Sequence, residues 1–192
     1  MTSPSRSPAV ILDRDGTLTR EQGFVTDPGD LELLPGVPDA LARLAAAGYL
    51  LVVATNQSGI ARGLYDESTL ARIHERLHQL LDNRPRAYLH CPHLPGPEGQ
   101  TEGYARKCEC RKPGSGLVDR ADRLFSIDWP RSFLVGDSAR DLLMGQHQPS
   151  RKILVRSGKP WNAQVELLAQ TGCEPELVAD DLTAAADWIL AQ

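Results

Sequence analysis

The sequence is short of most features that would assign it quickly to a class. It has four cysteines in 192 residues, too few for a disulfide scaffold of this size. Lys and Arg total 21 against 25 Asp and Glu, and no basic cluster stands out. General nucleic-acid binding, which needs basic groups to displace counterions, is therefore not expected. No apolar run reaches the roughly 18 residues of a membrane helix. The first eight residues, Met1 to Pro8, are rich in Ser and Pro and lack the apolar stretch of a secretory signal, so the expected compartment is the cytoplasm. They read as a disordered tail. Aromatics make up only 5%, and Trp129, Trp161 and Trp188 read as packing residues rather than a stacking platform. There is no internal repeat and no insertion long enough for a separate cap domain. One domain over residues 9–192, a monomer, is expected.

What is present alternates. Apolar runs at Ala9–Leu12, Leu50–Ala54, Ala87–Leu89, Ser132–Val135, Ile153–Val155 and Leu177–Ala179 read as strands. Between and after them, helical patterns cover about 38–47, 66–83, 117–124, from 139, 163–170 and 182–191, the last behind an Asp181 cap. The expectation is an α/β fold with a mostly parallel sheet and helices on both faces. In such sheets ligands bind beyond the carboxyl ends of the strands, which makes the residues just after each strand the candidates for chemistry.

After the first strand stands Asp13-Arg14-Asp15-Gly16-Thr17. Residues two apart in extended backbone point the same way, so both carboxylates can face one pocket. A divalent cation such as Mg²⁺ would relieve their repulsion and organise a phosphate. One carboxylate could attack phosphorus while the other shuttles the proton. The competing reading is an Asx-type turn capping a helix. After the second strand come Thr55-Asn56-Gln57-Ser58, hydroxyls and amides suited to phosphoryl oxygens or to an ordinary loop. Arg111-Lys112 supply two cations, and Gly136-Asp137, with Asp141 four residues on, supply a further acid or a helix cap. Each alone is weak. Their succession at strand ends carries the argument.

In that succession the chain resembles the haloacid dehalogenase superfamily of phosphotransferases from Ala9 to about Pro160. The resemblance implies Asp13 as nucleophile and Asp15 as general acid/base. It implies Thr55 and Lys112 as supports of the transferring phosphoryl group, and Mg²⁺ on Asp13, the Asp15 carbonyl and Asp137.

The cysteines add a second site. Cys91 and His93, with Cys108 and Cys110, offer three thiolates and an imidazole, a set suited to tetrahedral Zn²⁺. With four protein ligands the site would be structural and would pin a Pro/Gly-rich loop over about residues 90–115. The loop ends in Arg111-Lys112, so the metal would also fix where those cations point. Cys173 stands apart with no assigned role.

This arrangement is similar to a narrower group, the heptose-1,7-bisphosphate phosphatases and the related histidinol-phosphate phosphatases. The run from Thr55 to Gly63 and the long loop between His93 and Cys108 favour the heptose branch. That branch implies removal of the C7 phosphate on the route to ADP-heptose and the lipopolysaccharide core. Carried over by position, substrate contacts would be Glu21, Gln22, Gly23 and Phe24, then Thr55, Asn56, Gln57 and Ser58, and also Arg111, Lys112 and Ser138. Position 138 is Ser where some heptose enzymes carry Lys, a lost cation for which Arg140 is the candidate substitute.

One rival motif remains. His74-Glu75-Arg76-Leu77-His78 matches the short pattern of zinc proteases, with two His one helical turn apart; otherwise it is a flank of a packed helix.

Overall fold

The computed structural model describes residues 6–192. Six strands form one sheet: β1 (Ala9–Leu12), β2 (Leu50–Asn56), β3 (Ala87–Cys91), β4 (Phe133–Gly136), β5 (Arg151–Val155) and β6 (Leu177–Ala179). Every pairing is parallel, in the order β3-β2-β1-β4-β5-β6. The chain builds outward from β1 through β2 to β3, then returns to the other side of β1 and builds outward again. That reversal opens a crevice at the carboxyl ends of β1 and β4.

The helices are α1 (Val37–Ala46), α2 (Glu67–Leu80), α3 (Gly116–Phe125), α4 (Ala139–Leu143), α5 (Trp161–Thr171) and α6 (Leu182–Leu190). β1 is buried on both faces, as parallel strands are when helices cover both sides. Its alternate residues serve two cores. Val10 and Leu12 pack with Leu41 and Leu44 of α1 and Ile189 of α6. Ala9 and Ile11 pack with Leu117, Val118 and Ala121 of α3. A third cluster joins Leu142 of α4, Leu154 of β5 and Leu168 of α5, and it contains Cys173, which is a packing residue.

The predicted elements are all present, with moved boundaries. β2 extends two residues to include Thr55 and Asn56, and β3 runs on to Cys91, because these residues pair in register, Thr55 with His90 and Asn56 with Cys91. Short 3₁₀ turns at Pro28–Asp30 and Trp129–Arg131 are not evident in the periodicity; each has Pro in its first turn. The expected loose tail shrinks. Ser7 bonds through its backbone to Ser126 and Asp128, and Pro8 accepts from Leu50. The earlier part of that tail, residues 1–5, lies outside the described residues. Asp181 caps α6 as expected, accepting from the Ala184 N–H.

Candidate active site and metal centres

The chain leaves β1 at Asp13, whose N–H still bonds to the Val135 carbonyl of β4 at 3.0 Å. It then folds back tightly. The N–H groups of Leu18 and Thr19 both bond to the Arg14 carbonyl, at 2.8 and 2.9 Å. Gly16, at φ +81°, permits the reversal. A side chain at Gly16 would also collide with the Asp137 carboxylate, as would one at Gly158. Both glycines leave room for Asp137 to reach the site.

The two acids of the first motif have different surroundings. Asp15 is gripped by donors: Arg14 Nε at 3.0 and 3.1 Å to its two oxygens, Gln57 Nε2 at 3.0 Å and Thr19 Oγ1 at 3.4 Å. Arg14 is itself 1% exposed, so its guanidinium lies beneath Asp15 and braces it from within. Gln57 also donates to Thr55 Oγ1 at 2.8 Å and accepts from Tyr65 at 2.7 Å. Asp15 and Thr55 are thereby tied into one network.

Asp13 faces Lys112 instead. The Lys112 ammonium contacts Asp13 Oδ1 and Asp141 Oδ1, each at 2.6 Å, and the Ala54 carbonyl at 2.9 Å. Burial opposes the charge on Lys112, but Asp13 and Asp141 outweigh it and hold the ammonium above its ordinary range. Burial pushes Asp13 up to about 7; Asp141 and Asp15 add to this and Lys112 opposes it. Burial likewise raises Asp137 and Asp141. Asn56 fixes the backbone of Lys112 on both sides: its amide donates to the Lys112 carbonyl at 3.2 Å, and its carbonyl oxygen accepts from the Lys112 N–H at 3.0 Å.

Asp13, Asp137 and Asp141 bring one carboxylate oxygen each within 4.8 Å of one another. Asp137 Oδ2 accepts from the Lys159 N–H at 2.9 Å, but Oδ1 is buried without a hydrogen-bond partner. A buried carboxylate oxygen in that condition, facing other carboxylates, fits a hard divalent cation. This side-chain cluster holds Asp141 beside the expected Asp13 and Asp137. Asp15 turns its carboxylate towards Arg14, which leaves its carbonyl as the group the family pattern would use. Asp141 joins the cluster, yet both its oxygens are engaged, one by Lys112 and one by the Ser138 N–H at 2.9 Å. It fixes Lys112 and caps α4. Only its spacing, one helical turn beyond Asp137, could have pointed to it.

These groups open into a cavity of about 300 Å³. Of the expected substrate residues, Glu21, Gly23, Phe24, Thr55, Asn56, Gln57, Ser58, Arg111, Lys112 and Ser138 line it. Gln22 does not; it is exposed and donates to the Asp30 carbonyl at 3.4 Å. Ser138 is committed to capping α4. Two further cations line the cavity. Arg140 lies on α4, two residues past Ser138, and Lys159 lies just past β5, a strand end that the motifs did not cover.

Cys91, His93, Cys108 and Cys110 converge. Their sulfurs lie 3.1 to 3.5 Å apart, with His93 Nδ1 at 3.7 Å from Cys91 and 3.3 Å from Cys110. Ligand separations around tetrahedral zinc are roughly 3.6–3.8 Å for bond lengths of about 2.0–2.3 Å, so the set needs only a small expansion. Burial raises the Cys91 and Cys110 thiols and lowers His93, which leaves the imidazole neutral and able to ligate. From this loop Arg111 donates back to the His93 carbonyl at 3.1 Å.

The protease-like motif forms no site. His74 is buried and stacks on Tyr88 at 5.2 Å, and His78 meets the same ring edge-on at 5.7 Å. Glu75 is on the exposed face of α2. Among the described residues, neither His belongs to a group that could hold a metal.

A doubly wound parallel sheet with an Asp-x-Asp at the end of its first strand, a buried lysine and a facing acid defines a haloacid dehalogenase-like phosphatase. The HAD-hydrolase-like family model matches residues 109–185. At closer range, the D-glycero-beta-D-manno-heptose-1,7-bisphosphate 7-phosphatase of Photorhabdus laumondii is 40% identical over 84% of this chain and 87% of its own. The D-glycero-D-manno-heptose-1,7-bisphosphate 7-phosphatase of Thermosynechococcus vestitus is 38% identical over 95% of both chains. The crystal structure of D,D-heptose 1,7-bisphosphate phosphatase from B. bronchiseptica, complexed with magnesium and phosphate, superposes with a TM-score of 0.78 at 38% identity, covering 96% of this chain and 98% of that one. The chain belongs to the heptose-1,7-bisphosphate 7-phosphatase family.

Proposed function

We propose that the chain is a Mg²⁺-dependent phosphatase that removes the C7 phosphate of D-glycero-D-manno-heptose 1,7-bisphosphate through an aspartyl-phosphate on Asp13. The observation that carries this reading is the buried Asp13–Lys112–Asp141 chain beside Asp137, at the floor of a cavity lined by the end of β2, the start of α4 and the loops around them.

Asp13 attacks phosphorus with a carboxylate oxygen as the bond to the sugar oxygen breaks, and Asp15 donates a proton to that leaving oxygen. In the second half Asp15 takes a proton from water, the water oxygen attacks the same phosphorus, and phosphate leaves Asp13 as a free carboxylate. Lys112, by giving up one of its present acceptors, and Thr55 would steady the phosphoryl oxygens in both halves. Mg²⁺ held by Asp13, the Asp15 carbonyl and Asp137 would neutralise charge on the phosphoryl group. Arg111 and Arg140 line the same cavity and suit the second phosphate of a bisphosphate. Zn²⁺ on Cys91, His93, Cys108 and Cys110 would be structural. A site of reduced thiols agrees with a cytoplasmic setting.

The test compares kcat/KM on the two anomers of heptose 1,7-bisphosphate and on histidinol phosphate, with Asp13→Asn and Glu75→Gln as controls. The expected result is preference for a heptose bisphosphate, loss of turnover in Asp13→Asn and wild-type turnover in Glu75→Gln. Equal or better use of histidinol phosphate would overturn the substrate; activity surviving in Asp13→Asn would overturn the mechanism.

A further inference from the structure

Lys159 lies outside every motif discussed above, in the turn that follows β5. Two of its groups meet Asp137. The backbone N–H donates to Oδ2 at 2.9 Å, and the ammonium stands 3.4 Å from the same oxygen. The ammonium is also 3.4 Å from Glu21 Oε2, across the cavity mouth. Charge-assisted bonds of this kind are ordinarily about 2.7–2.9 Å long, so the backbone group holds Asp137 and the ammonium is only loosely attached to either acid.

Lys112 provides the contrast. It is 3% exposed, and its three protons meet acceptors at 2.6, 2.6 and 2.9 Å. It has no donor to spare for a ligand without giving one up. The Lys159 side chain is 44% exposed, lines the cavity and sits on a flexible stem. Burial works against its charge, but Asp137, Glu21, Asp13 and Asp141 together keep it an ammonium.

A cation at the free oxygen of Asp137 would draw on the same carboxylate charge that now attracts Lys159. An incoming phosphate would bring a new and stronger anion within reach of the stem. We propose that Lys159 is a substrate-binding residue, whose ammonium passes from Asp137 to a non-bridging phosphate oxygen while its backbone N–H continues to hold Asp137. The proposal rests on the phosphatase reading and assigns that site a phosphate ligand beyond the motif residues.

The experiment is calorimetric titration of Mg²⁺ alone, and of inorganic phosphate into Mg²⁺-saturated protein, for wild type, Lys159→Met and Lys159→Arg, with KM and kcat measured alongside. Lys159→Met is expected to weaken phosphate binding at least about tenfold and to raise KM by a similar factor, with a smaller change in kcat. Its affinity for Mg²⁺ alone should change less than about threefold, because the backbone bond to Asp137 survives. Lys159→Arg should recover most of the phosphate affinity. Lys159→Gln serves if the Met variant does not fold. Loss of Mg²⁺ affinity with undiminished phosphate binding would make Lys159 a support for Asp137 and overturn the proposal; so would variants that bind both ligands as wild type does. Wild-type protein that binds phosphate through Lys159 yet turns over no bisphosphate would overturn the reaction and leave the lysine's role standing.

Discussion

At the scale of single residues, most of the site's donors and acceptors are already engaged within the protein. Asp141 has both oxygens engaged, Lys112 all three protons, and Asp137 one oxygen of two. Gly158 shows how little slack remains. It needs no left-handed backbone, so Ala is compatible with its fold, but a methyl there would run into the Asp137 carboxylate. Gly158→Ala should raise the Mg²⁺ concentration for half-maximal activity by about 10- to 100-fold, with a modest fall in melting temperature from the overpacking. An unchanged Mg²⁺ requirement would remove Asp137 from the cation site. The Asp13/Asp15 pair was legible in the sequence from its spacing at a strand end, and both residues line the cavity although the chain has already left β1. Arg14 between them was not: its position suggests a solvated charge, and only tertiary packing turns it inward to brace Asp15. Lys159 was missed because no recognisable motif follows β5.

At the scale of elements, strand existence was legible from apolar runs, but strand ends were not. Thr55, Asn56 and Cys91 are polar or ligating residues that the hydrophobic pattern excludes, yet each is held in the ladder by its neighbour strand. This matters for the loop that would hold zinc, because its first candidate ligand, Cys91, is the last residue of a strand and is held in the ladder opposite Asn56. The remaining ligands are on an irregular stretch tied to the body of the protein by the Asn56–Lys112 bonds and by Gln100 and Thr101 on Ile60 and Ala61, with the cluster joining its two ends. Cys108→Ser should therefore lower bound zinc well below about one ion per chain and speed amide exchange across residues 92–112. Exchange in β1 and β2 should stay slow, and turnover should fall because Arg111 and Lys112 lose their aim. Full zinc content and unchanged exchange in that variant would contradict a structural metal there.

For the molecule as a whole, the buried acids link stability, pH and metal. Asp13, Asp137 and Asp141 are all raised by burial, so the folded chain binds their protons more tightly than the unfolded chain does. The stabilisation is complete below the ordinary value of 3.8 and is lost as pH rises through the Asp13 value of about 7. On the proposed reading, Mg²⁺ would take the place of the protons on Asp13 and Asp137. The rise in melting temperature on adding Mg²⁺ should thus be larger at about pH 8 than at about pH 5.5. His74 has the opposite sign: burial lowers it to about 2, so its stabilisation is present above 6.5 and fades as pH falls. That effect is common to samples with and without Mg²⁺ and cancels in the difference. Equal rises at both pH values would separate the cation from these carboxylates. The sheet order adds one further point, since alternation predicted strands and helices but not which strand lies central. The pairing of β1 with both β2 and β4 is what brings residues about a hundred positions apart onto one floor. Finally, the chain carries two clusters of opposite hardness, one of thiols and imidazole and one of carboxylates, joined through Arg111 and Lys112. Toxic metals should consequently divide between them: cadmium displacing the ion of the sulfur cluster and distorting the cationic arm, manganese or calcium competing at the oxygen cluster, with poisoning by each reversed by a different chelator.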